Sequence, residues 1–322
     1  MIDFAQFVKC SIVLFKTAKK NYLLGENVTI DEMLPGFRGR CAFRQYIPSK
    51  PNKYGIKVFA LVDAKMIYTC NMEICTGKQP EGPFLVSNKP REVVKRIAEP
   101  LFETGRNITT DNWFTDIDLV NDLKKRGFLM LAQLKKIKDR YQTILSISQH
   151  SSLFRFNNGN TLVSYIPKKG KNVILVSSLH ETNAIDQNTR EQQKPEVITF
   201  YNTTKGGVDT TDQMCATFSV SWNTRCWLMV IFFACLNVAG INSQVISIAN
   251  KLEPLKRRIF LKTLSHQLTI GQLAQRSLNT RGMPTHLQFR LKRFLPQEKP
   301  ENITTIPPKR RKCAWLKQDL EG

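Results

Sequence analysis

No two cysteines in this sequence are spaced Cys-x-x-Cys, and its four histidines (His150, His180, His266, His286) are scattered. The eight cysteines therefore make no zinc framework, and no zinc is expected. With no secretory pattern beside them, they suit a reducing, intracellular setting. A signal peptide is also lacking, because Asp3, Lys9 and Lys16 interrupt the apolar patches of the N-terminus. The four Asn-x-Thr sequons are accordingly read as chance matches. Carboxylates are scarce: 26 Asp and Glu face 48 Lys and Arg, a formal charge of +22 over 322 residues. That imbalance favours a polyanionic partner, nucleic acid or an acidic membrane surface. Long clean hydrophobic runs are rare too. The one candidate, residues 227–249, is interrupted by Asn237, Asn242, Ser243, Gln244 and Ser247. It reads as a helix buried within a soluble core, and no membrane partner is expected.

What is present is an alternation of element types. Residues 27–32 alternate as a strand, and 57–63 and 66–74 read as a hairpin pair. Residues 106–111 repeat the first strand's Asn-apolar-Thr-x-Asp pattern. Helical periods appear over 1–26, 89–102 and 114–127. The helical period is lost over 135–200, which reads as an irregular, β-rich block. It returns at Val208 and runs to about residue 293. The fold class is α/β, a core interrupted by an insertion and followed by a helical C-terminal part. A Pro-rich, charged tail over 296–322 is expected to be disordered.

The few carboxylates fall at telling places. Asp31 and Asp111 end apolar strands, where α/β sheets form their sites. Asp209 and Asp212, in "KGGVDTTDQM", lie three residues apart on one face of a helix start. Brought together, they match what two-metal phosphodiester chemistry needs, oxygen ligands for hard cations about 3.5–4 Å apart. The residues alone leave a second reading open: Asp209 as an N-cap, Asp212 as a first-turn acid and the other two as polar strand ends. Between Met33 and Val62 there is no acid, but Arg38, Arg40, Arg44, Lys50, Lys53 and Lys57 are interleaved with Phe37, Phe43, Tyr46 and Tyr54. That pattern suits phosphate contacts with aromatic stacking. It also suits a solvated basic loop whose aromatics are buried.

Three blocks, "TIDEMLPGFRGRCAFRQYIPSKPNKYGIK", "NITTDNWFT" and "YNTTKGGVDTTDQM", resemble the signature blocks of the piggyBac transposases and their domesticated relatives. The resemblance spans about residues 20–295. It implies an RNase H-like, retroviral integrase-type core with a β-rich insertion domain, and metal-dependent DNA cleavage and strand transfer at TTAA sites. By motif match the catalytic aspartates would be Asp31, Asp111 and Asp209. Asp212 would join them in binding two Mg²⁺ or Mn²⁺ ions. Lys205, Arg225 and Trp227 would join the basic loop on DNA. The domain expectations are a remnant of an N-terminal dimerisation and DNA-binding region over 1–26, core over 27–134, insertion over 135–200, core over 201–295, and a tail lacking the family's cysteine-rich domain. A homodimer is possible by the same resemblance. "SWNTRCWL" (221–228) departs from the family's Asn/Arg-Arg-Trp-Pro, with Cys226 and Leu228 for Arg and Pro. An impaired or domesticated transposase is therefore expected, and the rival is a DNA- or chromatin-binding protein without catalysis. Lys309, Arg310, Arg311 and Lys312 read as a nuclear import signal, which makes the expected location nuclear.

Overall fold

Strand β1 (Asn27–Met33) is the hub of the molecule. The computed structural model describes residues 17–18, 20–79, 81–82, 85–134, 148–252 and 254–294. The remnant expected over 1–26 is described only in part, and the tail with its basic run lies outside the described residues. After β1 come a short hairpin, β2 (Arg44–Tyr46) and β3 (Tyr54–Ile56), then β4 (Val58–Asp63) and β5 (Thr69–Ile74). The stretch 36–57, expected as loop, thus contains a small two-stranded sheet. β4 runs antiparallel to β1 and pairs with β5 as the expected hairpin. Helix α1 (Pro90–Ala98) leads to β6 (Asn107–Thr110), and helix α2 (Ile117–Lys125) leads to β7 (Leu129–Gln133). β6 lies parallel to both β1 and β7.

The next three strands are β8 (Ser152–Asn157), β9 (Asn160–Lys168) and β10 (Lys171–Ser177). β10 pairs antiparallel with β7, giving one eight-stranded sheet in the order β5-β4-β1-β6-β7-β10-β9-β8. The described part of the block expected as an insertion domain therefore extends the core sheet. Helical structure resumes earlier than Val208. Helix α3 (Glu196–Thr204) follows Pro195 and buries Val197, Ile198 and Tyr201, a spacing that favours a helix. Then come α4 (Gly207–Thr217), α5 (Trp227–Ala249), α6 (Arg257–Leu278) and α7 (Thr285–Phe294).

The central strands of the sheet are buried on both faces. Phe59 and Leu61 of β4 join Val28, Ile30 and Ile108 beneath Val93, Ile97, Leu119 and Leu123 of α1 and α2. The alternate residues Val58, Ala60 and Val62 face Val208, Ile231, Val238 and Ile241 of α4 and α5. A third cluster joins Leu131, Tyr165 and Leu175 to Val197, Ile198 and Tyr201 of α3. Among the described residues α5 is long and apolar enough, by length and composition, to cross a membrane. Its buried asparagines are satisfied inside the protein. Asn242 accepts from the Thr69 backbone N–H (2.9 Å) and donates to the Thr69 carbonyl (2.8 Å). Asn237 accepts from the Val220 N–H at 2.9 Å and donates to Ser219 at 3.2 Å. Each pairing answers a backbone or hydroxyl group that would otherwise be buried without a partner.

The chain divides into two compact units after Arg258, so the stretch expected as one core part over 201–295 is split. The second unit holds most of α6 and all of α7. There the His266 ring meets the Phe294 carbonyl at 3.0 Å, and Leu291 is buried.

Candidate metal centre

The repeated Asn-apolar-Thr-x-Asp pattern sets the geometry. β1 and β6 pair in parallel with Asn27 opposite Asn107, Thr29 opposite Thr109 and Ile30 opposite Thr110. Asp31 and Asp111 follow in step at the carboxyl ends of neighbouring strands, where an α/β sheet opens to a ligand. The repeat fixes more than register. Asn107 donates to Asn27 at 3.1 Å, and the two threonines hold the end of α3: Thr29 donates to the Thr204 carbonyl, and Thr109 to the Thr204 hydroxyl at 2.8 Å. α4 begins just beyond, so the clamp carries Asp209 and Asp212 to the same region. Gly207 lets α4 approach. A Cβ there would lie 3.1 Å from the Thr29 hydroxyl and 3.5 Å from the Ala64 Cα.

Oxygen atoms of Asp31, Glu32 and Asp111 lie within 4.8 Å of one another. Glu32 escaped the sequence reading because strand alternation assigns it to the face opposite Asp31. Its signal was the Asp-Glu pair at a strand end. Burial, then the nearby Glu32, raises the Asp31 carboxyl to about 8. Burial also raises Asp111, against a hydrogen bond from the Trp113 N–H at 2.9 Å, with Glu32 again adding repulsion. Tyr201, which opens the third signature block, is raised by burial and by the charges of Asp111 and Asp31. Its hydroxyl reaches Gln133 at 3.5 Å. Tyr201 is a further neighbour that the sequence reading did not single out.

Asp209 and Asp212 are not members of the 4.8 Å group. Asp212 is half-buried, raised by burial, and accepts from the Leu34 N–H at 3.4 Å. Asp209 is exposed and pairs with the Lys50 ammonium at 2.8 Å. Burial disfavours the charge on Lys50, but Asp209, Asp31 and Asp212 outweigh it and hold the ammonium above the ordinary lysine value. Lys50 is thus the described group that links the two halves of the carboxylate set.

The basic residues divide in two. Arg38, Arg40, Arg44 and Arg225 are exposed and line a cleft of about 1350 Å³ together with Asp212 and Trp222. Arg44 also braces its own loop, donating to the Arg38 and Gly39 carbonyls at 3.0 Å each. Lys53 and Lys205 are exposed but do not line that cleft. Lys50 and Lys57 turn inward. Lys57 is buried 3.8 Å from Glu32 and 4.0 Å from the centre of the Trp113 ring. Neither is presented to a phosphate as the loop reading expected, because the carboxylates claim both ammonium groups. Phe37 is buried, and Phe43 meets the half-buried Trp227 edge-on at 5.1 Å. Tyr46 and Tyr54 stay exposed.

All donors around the centre are carboxylate oxygens, which suits a hard divalent cation. One of them, Glu32 Oε2, is buried without a hydrogen bond and meets the Lys57 ammonium at the longer distance of 3.8 Å. The residues present therefore fit a metal.

Two comparisons with known proteins match this chain. Residues 3–244 match the family described as Transposase IS4. The piggyBac transposase, solved by cryo-EM as a synaptic complex with hairpin DNA, is similar at a TM-score of 0.81 and 33% identity, over 97% of this chain and 67% of that one. The large mixed sheet with its helices matches the fold of that RNase H-like DDE core, and use of divalent metal goes with that family. The chain belongs to the Transposase IS4 family and, within it, is of the piggyBac type.

Proposed function

We propose that this protein cuts and rejoins DNA strands at TTAA sites using two divalent cations, Mg²⁺ or Mn²⁺. Asp31, Asp111 and Asp209 are the catalytic carboxylates, and Asp212 and Glu32 complete the ligand set. The observation that carries the reading is the meeting of Asp31, Glu32 and Asp111 oxygens within 4.8 Å, with the buried Glu32 Oε2 held by no hydrogen bond beside its 3.8 Å ion pair to Lys57. Bound cations supply Lewis-acid charge for in-line displacement at phosphorus. The chain's own part is to hold the acids in register through β1 and β6 and to lead the strand in along Arg38, Arg40 and Arg225. Those arginines are exposed in the cleft that also contains Asp212. Their contacts position a duplex without reading its bases. A homodimer acting in the nucleus, imported through Lys309, Arg310, Arg311 and Lys312, completes the proposal.

The test is nicking of a labelled TTAA duplex and a scrambled one, with Mg²⁺ or Mn²⁺ and with EDTA. Asp31→Asn, Asp111→Asn and Asp209→Asn serve as controls. Metal-dependent product that all three substitutions abolish is the expected result. Binding without any metal-dependent product would refute it and support the rival, a DNA-binding protein without catalysis. Cys226 and Leu228, standing where the resemblance expects Arg and Pro, favour that rival. For location, a reporter fused to residues 296–322 is expected to collect in nuclei, and an even spread through the cell refutes the import signal.

A further inference from the structure

Unlike the exposed Arg38, Arg40, Arg44 and Lys53 of its loop, Lys50 turns inward as Lys57 does, but it pairs with an acid of α4. Its side chain is only 12% exposed. The ammonium donates to Asp209 Oδ1 at 2.8 Å and to the Glu32 backbone carbonyl at 2.8 Å. Asp31 and Asp212 also act on its charge. A monovalent cation of the protein's own thus stands between the strand-end acids and the helix acids. It is tied to both sides, in the zone where carboxylates from the two segments would share an ion. Lys53, three residues on, is exposed.

We propose that Lys50 is a positioning residue that acts as a built-in counter-ion, competing with a divalent cation for Asp209. The proposal rests on the metal reading above. While Lys50 holds Asp209, the charge of that acid is offset and the site stays assembled without metal. A cation bound at Asp209 repels the ammonium and competes with it for Oδ1, the oxygen that Lys50 holds. The freed Lys50 then lies on a short tether beside the carboxylates, where the anion left for it is a phosphate of the bound strand. The loop that carries Lys50 also carries Arg38 and Arg40, so exchange at Lys50 couples metal entry to the loop that faces DNA.

The experiment is Mn²⁺ binding by calorimetry on the whole chain, without DNA. Lys50→Met keeps the length of the side chain and removes its charge. It is expected to bind Mn²⁺ roughly fivefold more tightly than the unaltered protein, the size of one partly exposed charge pair. Lys50→Arg is expected to stay within about twofold of the unaltered protein, since it keeps a cation on Asp209. Lys53→Met controls for loss of charge from the loop in general and is expected to change nothing. Equal or weaker binding by Lys50→Met overturns the proposal, as does an equal gain in Lys53→Met. No Mn²⁺ binding to any of the proteins overturns the metal reading and this proposal with it. A second readout needs no variant: the NMR signal of the Lys50 ammonium, protected in EDTA, is expected to lose its protection as Zn²⁺-free diamagnetic Mg²⁺ is added. Protection that survives saturating Mg²⁺ overturns the exchange.

Discussion

Replacing Asp31 by Asn in metal-free protein is expected to stabilise the fold while disabling the site. Asp31, Glu32 and Asp111 crowd within 4.8 Å, and the Asp31 carboxyl is raised from 3.8 to about 8. The folded chain therefore binds a proton that the unfolded chain releases between about pH 4 and 8, and stability falls as pH rises through that window. The full shift corresponds to about 6 kcal/mol at 1.36 kcal/mol per unit. Lys57 beside Glu32 and the opening of the site to solvent reduce this, so the expected gain for Asp31→Asn at pH 8 is about 1–2 kcal/mol. In a chain of this size that is a rise of about 2–6 °C in Tm. The gain should shrink towards pH 5, where Asp31 is protonated in the unaltered protein. The substitution preserves the acceptor for the Glu32 N–H, which Asp31 Oδ1 holds at 2.8 Å. Thermal melts of both proteins in EDTA from pH 5 to 8.5 decide the matter. A variant that melts lower at pH 8, or a difference that does not vary with pH, would refute the argument from carboxylate crowding. Added Mg²⁺ should raise the Tm of the unaltered protein and leave the variant nearly unmoved.

Gly207→Ala is expected to cost about 1 kcal/mol by overpacking against Thr29, whereas Gly206→Ala, with open space around it, should be neutral or slightly stabilising. Paired melts test the contrast, and equal effects would count against the close approach of α4. Asn242→Ala removes both hydrogen bonds to buried Thr69 backbone groups and is expected to cost about 2–3 kcal/mol, read by urea denaturation. For DNA, Arg38→Ala and Arg40→Ala should each lower the slope of log affinity against log salt by about 0.9. Lys57→Met should leave that slope unchanged because Lys57 is buried.

The strand ends were legible because local pattern determines them. The twin Asn-x-Thr-x-Asp motifs encode two strands that must lie in register, and the parallel pairing of β1 with β6 follows that repeat. The hairpin β4–β5 was legible for the same reason. Glu32 was not, since its place depends on how a long side chain turns back at a strand end. Lys50 and Lys57 were read as phosphate contacts because sequence reports charge but not direction. Their partners, Asp209 at a separation of 159 residues and Glu32 across the start of β4, are matters of tertiary packing. The strands β8–β10 were seen as β-rich but not as a continuation of the sheet. Nothing in a strand's own alternation says which edge it will join.

The Thr29–Thr109–Thr204 clamp also bears on the order of folding. Its hydrogen bonds join residues 175 and 95 positions apart, and the neighbouring asparagine pair joins residues 80 apart. Contacts of such separation form late, after long loops have closed against their entropy. The β1–β4–β5 meander is local and can form first, with no complete carboxylate set. During synthesis, a chain that has not yet emerged past Thr204 has no means of seating Asp209 near Asp31. On the proposed function, strand cutting is thereby tied to completion of the fold, and a partly made chain would have no complete carboxylate set beside which to hold a phosphate.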